Sequence, residues 1–137
     1  GCYFPTQEIP EVWFGDFQMK AECNIVNSYA EGCALARDVN RDNIRVLVDY
    51  YHLSEESEPF SHILENGKPQ LLHTHTSNPV GRVYPKEDDE INQAPFIRTL
   101  QELGYEGKVS CEAYTNNFKE DARRALAYFR KLDGKSI

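Results

Sequence analysis

Three short apolar runs each end in ionisable side chains, and helical patterns separate them. Arg45-Val46-Leu47-Val48 leads into Asp49-Tyr50-Tyr51-His52. Gln70-Leu71-Leu72 leads into His73-Thr74-His75, and Lys108-Val109-Ser110-Cys111 leads into Glu112. Continuous apolar runs rich in β-branched residues suit strands of a parallel sheet covered on both faces. Strands that alternate with helices join through right-handed βαβ units, so the order helix, strand, helix, strand leaves few folds open. The spacing predicts three or four βα units, enough for half of an eight-unit barrel or for a small open sheet.

The helical segments carry their own signals. Asn24 or Asn27 is placed to cap a helix running to about Val39, with Ile25, Tyr29, Cys33, Ala36 and Val39 as its apolar face. Asn40 to Asn43 reads as a turn. Pro59 opens a short helix with Phe60, Ile63 and Leu64 inside, and Gly67 ends it. His62 reads as a helix-surface residue. Ala94 to Leu103 is predicted helical, with Pro95 in its first turn and Phe96, Ile97, Leu100 and Leu103 buried. The last helix is predicted from Phe118 to Leu132, with Ala122, Ala125, Leu126 and Phe129 on its inner face. Between Thr76 and Asn92 lies a polar connection with the acidic run Glu87 to Glu90. A connection of that length in a compact domain is often functional, while the run itself reads as a solvated turn. Near the start, Pro5 and Pro10 break regular structure, and Glu11 to Phe17 holds at most a short strand interrupted by Gly15.

Ionisable groups at the carboxyl ends of parallel strands sit where α/β proteins place their chemistry. Three strands deliver Asp49, His75 and Glu112 to one rim. A mixed oxygen and nitrogen set suits a divalent cation such as Mn²⁺, Mg²⁺, Co²⁺ or Zn²⁺. His73 shares a strand face with His75 and reads as structural support. Asp49 has a bland alternative as the cap of the turn that follows it.

Composition narrows the partners. The 137 residues carry a formal charge of −7, which disfavours nonspecific binding to nucleic acid or anionic membrane. No run is apolar and long enough for a membrane helix. Cys2, Cys23, Cys33 and Cys111 form no CxxC pair, so neither a thiolate metal site nor a disulfide framework is expected, and a reducing cytoplasm is the simplest compartment.

Taken in order, Asp49-Tyr-Tyr-His52, His73-Thr-His75, Gly81-Arg82-Val-Tyr-Pro85 and Gly104-Tyr-Glu-Gly-Lys-Val-Ser-Cys-Glu112 resemble the sugar isomerase/epimerase family with a xylose-isomerase-like TIM barrel. The segment from Ala21 to Asn27 also fits, and the resemblance extends to about Leu132. It implies an α/β fold of parallel βα units, about the last four of a (β/α)8 TIM barrel, in a single partial domain spanning 1–137. Residues 1–20 match the family poorly. It further implies a divalent metal held by Asp49, His75 and Glu112, with Glu112 doubling as the catalytic acid/base, and Glu22, His52 and Arg82 touching the substrate's oxygens. The implied activity is a metal-dependent isomerase or epimerase acting on a ketose or sugar phosphate, with proton transfer next to a carbonyl through a metal-stabilised enediolate.

The chain departs from the family in two ways. The position of a further metal-binding glutamate falls on Asp16, one methylene shorter. A full barrel takes about 250 residues, so the first four strands have no counterpart here. The alternative expectation is therefore a non-catalytic half-barrel that keeps the fold and metal binding. A zinc-dependent endonuclease of related barrel type fits poorly with the acidic charge. An inner sheet face of Val46, Val48, Leu72 and Val109 is expected to be apolar and to drive pairing into a homo-oligomer, or with a partner supplying the missing half.

Overall fold

The computed structural model describes residues 13–16, 18–21 and 24–134. Glu22, Cys2, Cys23, Pro5 and Pro10 lie outside the described residues. The elements run β1 (Trp13–Asp16), α1 (Tyr29–Val39), β2 (Ile44–Asp49), α2 (Tyr50–Glu55), α3 (Ser61–Asn66), β3 (Leu71–Thr76), α4 (Ala94–Glu102), β4 (Val109–Cys111) and α5 (Phe118–Leu132). One sheet holds the strands in the order β1-β2-β3-β4, and every pairing is parallel. The α/β alternation expected from the sequence is therefore the observed architecture. Among the described residues the sheet is open, with β1 and β4 at its ends.

The phase of each strand decides which face does what. Val46 and Val48 pack into one core with Tyr29, Cys33, Ala36, Ile63, Leu71, Phe96, Ile97 and Leu100. That face is the outer one, beneath the helices. α1 lies close enough to β2 that a Cβ on Gly32 would sit 3.2 Å from Val46 Cγ1. Tyr50 stacks on Phe96 with ring centres 5.1 Å apart, and Phe60 lies against both rings. The expected apolar inner face of Val46, Val48, Leu72 and Val109 is thus overturned. Side chains alternate along a strand, so a strand that turns Asp49 inward also turns Leu47 inward and Val46 and Val48 outward. In the register Leu47 stands beside His73 and Asp49 beside His75, which makes the inner face largely polar.

Helix ends also differ from the sequence reading. Ser28, not Asn24 or Asn27, caps α1, and its side chain accepts from the Glu31 N–H. Buried Glu58 accepts from the Tyr29 and Ala30 N–H groups at 2.7 and 3.0 Å. Its carboxylate also meets His62 Nδ1 at 2.8 Å. A carboxylate at a helix N-terminus satisfies orphan donors and opposes the dipole. Ile25 and Val39, expected inside, are exposed, as is Leu126 on α5. The buried residues of α5 are Ala125 and Tyr128.

The long connection is held at both ends. Fully buried Gln93 accepts from Thr76 Oγ1 at 2.7 Å and donates to the Ser77 carbonyl at 3.1 Å. Its own N–H donates to the Tyr128 hydroxyl. These bonds tie the end of β3 to α4 and α5. The acidic run is a turn stapled to α5 by the ion pairs Glu87–Lys131 and Asp88–Arg124.

Candidate metal and substrate site

β2, β3 and the residue after β4 bring Asp49, His75 and Glu112 to one rim. One ligand-type atom from each lies within 4.8 Å of the others. His75 Nδ1 is 3.0 Å from Glu112 Oε2. Asp49 is fixed from below, since its Oδ1 accepts from the Tyr51 N–H at 2.8 Å. That bond makes Asp49 the N-cap of α2, so the capping alternative and the site role are both present, on different oxygens.

Arg82 reaches the cluster from the connection. The Asn78 N–H donates to the Val83 carbonyl, and the Tyr114 N–H to the Arg82 carbonyl at 2.7 Å. Gly81 and Arg82 both take left-handed backbone, with φ of 77° and 51°. That conformation is open to glycine and strained by roughly 1 kcal/mol or more for arginine, so the surrounding bridges hold it. Arg82 Nη2 then donates to Glu112 Oε2 at 3.1 Å and to Asp49 Oδ2 at 3.4 Å. Its guanidinium lies over the Tyr51 ring, 4.7 Å from the centroid. A cleft of about 140 Å³ opens beside Arg82, Glu112, Ala113 and Tyr114.

The two carboxylates are treated differently. Burial pushes Asp49 up to about 7, against the opposing effects of the Tyr51 N–H and Arg82, and nearby Glu112 adds to the rise. Burial also raises Glu112, but Arg82 and His75 outweigh it and hold the group below its ordinary range. Two carboxylates pushed apart in this way divide acid and base states between them. His73 is pushed down by burial and by its neighbour His75, and its Nε2 lies 3.0 Å from Ser110 Oγ.

The donor set fits a divalent cation. It offers two carboxylate oxygens and an imidazole nitrogen, the mixture such ions take. A cationic group, the Arg82 guanidinium, already bridges both carboxylates.

The other expected residues divide. His52 is buried beside Asp49: its Nε2 lies 3.8 Å from Asp49 Oδ2, and its Nδ1 accepts from the Met19 N–H at 3.3 Å. The Asp16 backbone ends β1 on the same side of the sheet, paired in register with Leu47. Sequence reasoning missed Tyr51, whose cation–π contact with Arg82 has no local signature, and Gln93, whose partners are distant in sequence.

The sequence model of the xylose isomerase-like TIM barrel family matches residues 19–132. The chain belongs to this family. A D-psicose 3-epimerase of Agrobacterium fabrum is 32% identical over 133 residues, covering 82% of this chain and 46% of that protein. A putative hydroxypyruvate isomerase of Drosophila melanogaster is 33% identical over 87 residues, covering 64% of this chain and 33% of that protein. Among solved structures, a D-psicose 3-epimerase determined in the presence of D-fructose superimposes with a TM-score of 0.77 at 24% identity, over 88% of this chain and 49% of that one. A D-allulose 3-epimerase from Methylomonas sp. gives 0.77 at 22% identity, over 87% and 48%. The chain therefore spans half or less of the length of these relatives, and the four strands among the described residues correspond to part of a barrel. No helix among the described residues is long and apolar enough to cross a membrane.

Proposed function

We propose that this chain carries the metal-binding part of a sugar isomerase or epimerase that moves a proton on a carbon next to a carbonyl. The observation that supports this most is the meeting of Asp49, His75 and Glu112 at the carboxyl ends of parallel strands, with Arg82 against both carboxylates. The relatives' names favour a small ketose or a related hydroxy-carbonyl compound as substrate. Asp49, His75 and Glu112 would hold a divalent ion such as Mn²⁺, Mg²⁺, Co²⁺ or Zn²⁺. When bound, such an ion offsets the negative charge that develops on the substrate's oxygens as the neighbouring carbon loses its proton.

The chain's own residues supply the rest. Glu112, half exposed and kept ionised by Arg82 and His75, takes the proton as general base. Arg82 orients substrate oxygens with its planar donors. Glu22 and His52 are assigned to the same task, His52 through its place beside Asp49. The chain acts as one partial barrel domain, with residues 1–20 outside the family pattern, and it works as a homo-oligomer or with a chain that supplies the remaining strands. Free Cys33 and Cys111 fit a reducing compartment such as the cytoplasm.

Deuterium wash-in tests the reading. The chain loaded with Mn²⁺ is incubated with a ketose in D₂O, and exchange at the carbon beside the carbonyl is followed by NMR. Exchange that vanishes in Glu112→Gln is the expected result. The half-length coverage favours one second reading, a half-barrel that binds metal without catalysis. Metal binding with no exchange on any ketose would establish that reading in place of the first.

A further inference from the structure

The backbone of Arg82 is anchored and its head group is not. The Tyr114 N–H donates to the Arg82 carbonyl at 2.7 Å, and the next residue, Val83, bridges to Asn78 and to Tyr114. The guanidinium meets both carboxylates through one nitrogen, Nη2, at 3.1 Å from Glu112 Oε2 and 3.4 Å from Asp49 Oδ2. Charge-assisted bonds of this kind usually close to about 2.7–2.9 Å, and arginine grips hardest with two parallel donors. The contact is therefore long and one-armed, held by charge more than by fit.

The oxygens it touches are the ones left for a cation. Asp49 Oδ1 is committed to the Tyr51 N–H, which leaves Oδ2 for the site. Glu112 turns the same oxygen, Oε2, to Arg82 and to His75 Nδ1. An ion entering between Asp49, His75 and Glu112 thus meets a positive charge already on its acceptors, and like charges this close repel. The guanidinium also has room to leave. A cleft of about 140 Å³ lies beside it, lined by Arg82, Glu112, Ala113 and Tyr114, and the Tyr51 face lies against it with the centroid 4.7 Å away.

We propose that Arg82 is a built-in counter-cation of the Asp49–His75–Glu112 cluster, one that a divalent ion must displace into the neighbouring cleft in order to bind. This deepens the metal part of the proposed function and rests on it. A single guanidinium charge offsets the repulsion between two carboxylates that the fold brings together. A divalent ion carries twice that charge and takes the same oxygens, so it wins the exchange, and Arg82 swings on its anchored backbone toward the space beside Tyr114. The residue therefore lowers metal affinity while it keeps the cluster charged and ready.

The test is Mn²⁺ titration of the 137-residue chain by electron paramagnetic resonance in wild type, Arg82→Asn and Arg82→Lys. A pH of about 8.5 keeps the measurement above the value of about 7 at which Asp49 takes its proton. Asparagine accepts the left-handed backbone of this position and removes the charge, whereas lysine keeps the charge, and both should retain the wild-type circular dichroism. Arg82→Asn is expected to bind Mn²⁺ roughly tenfold more tightly, with Arg82→Lys close to wild type. Guanidinium ion added to Arg82→Asn below denaturing concentration should weaken Mn²⁺ again, more than sodium does at the same ionic strength. Equal or weaker binding in Arg82→Asn, tightening of the same size in Arg82→Lys, or guanidinium that acts like sodium would each overturn the displacement and leave the metal site standing. A wild type that binds no Mn²⁺ would overturn both.

Discussion

β2 ends in one carboxylate of the cluster and the residue after β4 is the other, yet the two are held in opposite ways. β2 lies between two strands, and Asp49 is 1% exposed. β4 is an edge of three residues, and the Glu112 side chain is 51% exposed. Burial and the Tyr51 N–H make Asp49 a fixed point at the cost of its charge. Glu112, half exposed, is kept ionised by Arg82 and His75 beside it. Under the proposed function the site grips a cation and transfers a proton, and one strand inside the sheet and one at its rim would supply one group of each kind.

Removing the fixed point should do most damage to binding and least to folding. Asp49→Asn is expected to weaken Mn²⁺ by about 100-fold or more, measured by electron paramagnetic resonance titration. The metal-free variant should melt no lower than wild type at pH 8. The folded pKa of Asp49, about 7, lies above the ordinary carboxylate value, so the folded state binds the extra proton between them. The Asp49 contribution to stability therefore falls as pH rises from roughly 4 to 7 and is flat above. Asparagine does not titrate, so the melting difference should grow over that window. A variant that melts well below wild type at pH 8 would show the carboxylate to be structural.

The scaffolds beneath the two strands should differ as well. Val48→Ala, under α1 in the core, is expected to cost about 2 kcal/mol in urea unfolding. Val109→Ala on the half-open edge should cost well under about 1 kcal/mol. Equal losses would mean that β4 is as firmly packed as β2.

Glu112→Gln should weaken Mn²⁺ only about tenfold, because a half-exposed ligand is more easily replaced by water. Below pH 7, where Asp49 takes up its proton, wild-type Mn²⁺ affinity should fall by about tenfold per pH unit. In Asp49→Asn this dependence should be largely lost, and its persistence there would assign the proton to another group.

Much of this arrangement can be read from the amino-acid sequence, and the failures have common causes. The strands announce themselves as apolar runs, and Asp49, His75 and Glu112 follow because each run ends in them. The facing of the strands is hard to read because a run such as Val46-Leu47-Val48 has no polar residue to set the phase; only Asp49, one step further, does. Leu126 breaks the helix pattern because, among the described residues, no element packs over its side of α5. Glu58 serves N–H groups 28 and 29 residues away, and Gln93 reaches Tyr128 over 35, distances at which no local pattern survives. Arg82 is visible only by resemblance, since its place depends on two left-handed residues and a bridge to Tyr114.

The smallest effect expected is also the most specific to the pairing of the two carboxylates. Arg82 is what keeps Glu112 ionised, and Tyr51 is what lies beneath Arg82. A cation over an aromatic face at a partly exposed site contributes about 0.5–1 kcal/mol. Losing the ring should therefore loosen the guanidinium without freeing it, because its donors to Asp49 and Glu112 remain. Tyr51→Phe keeps the face and should leave the Glu112 titration where it is. In Tyr51→Leu, the Glu112 carboxyl should titrate measurably higher, followed by ¹³C NMR of the metal-free protein, as its cationic neighbour spends less time at 3.1 Å. Asp49 keeps the N–H of residue 51 in either variant, so its hydrogen bond at 2.8 Å provides an internal control. If the leucine and phenylalanine variants titrate alike, the ring is a spacer, and the loop backbone alone places Arg82.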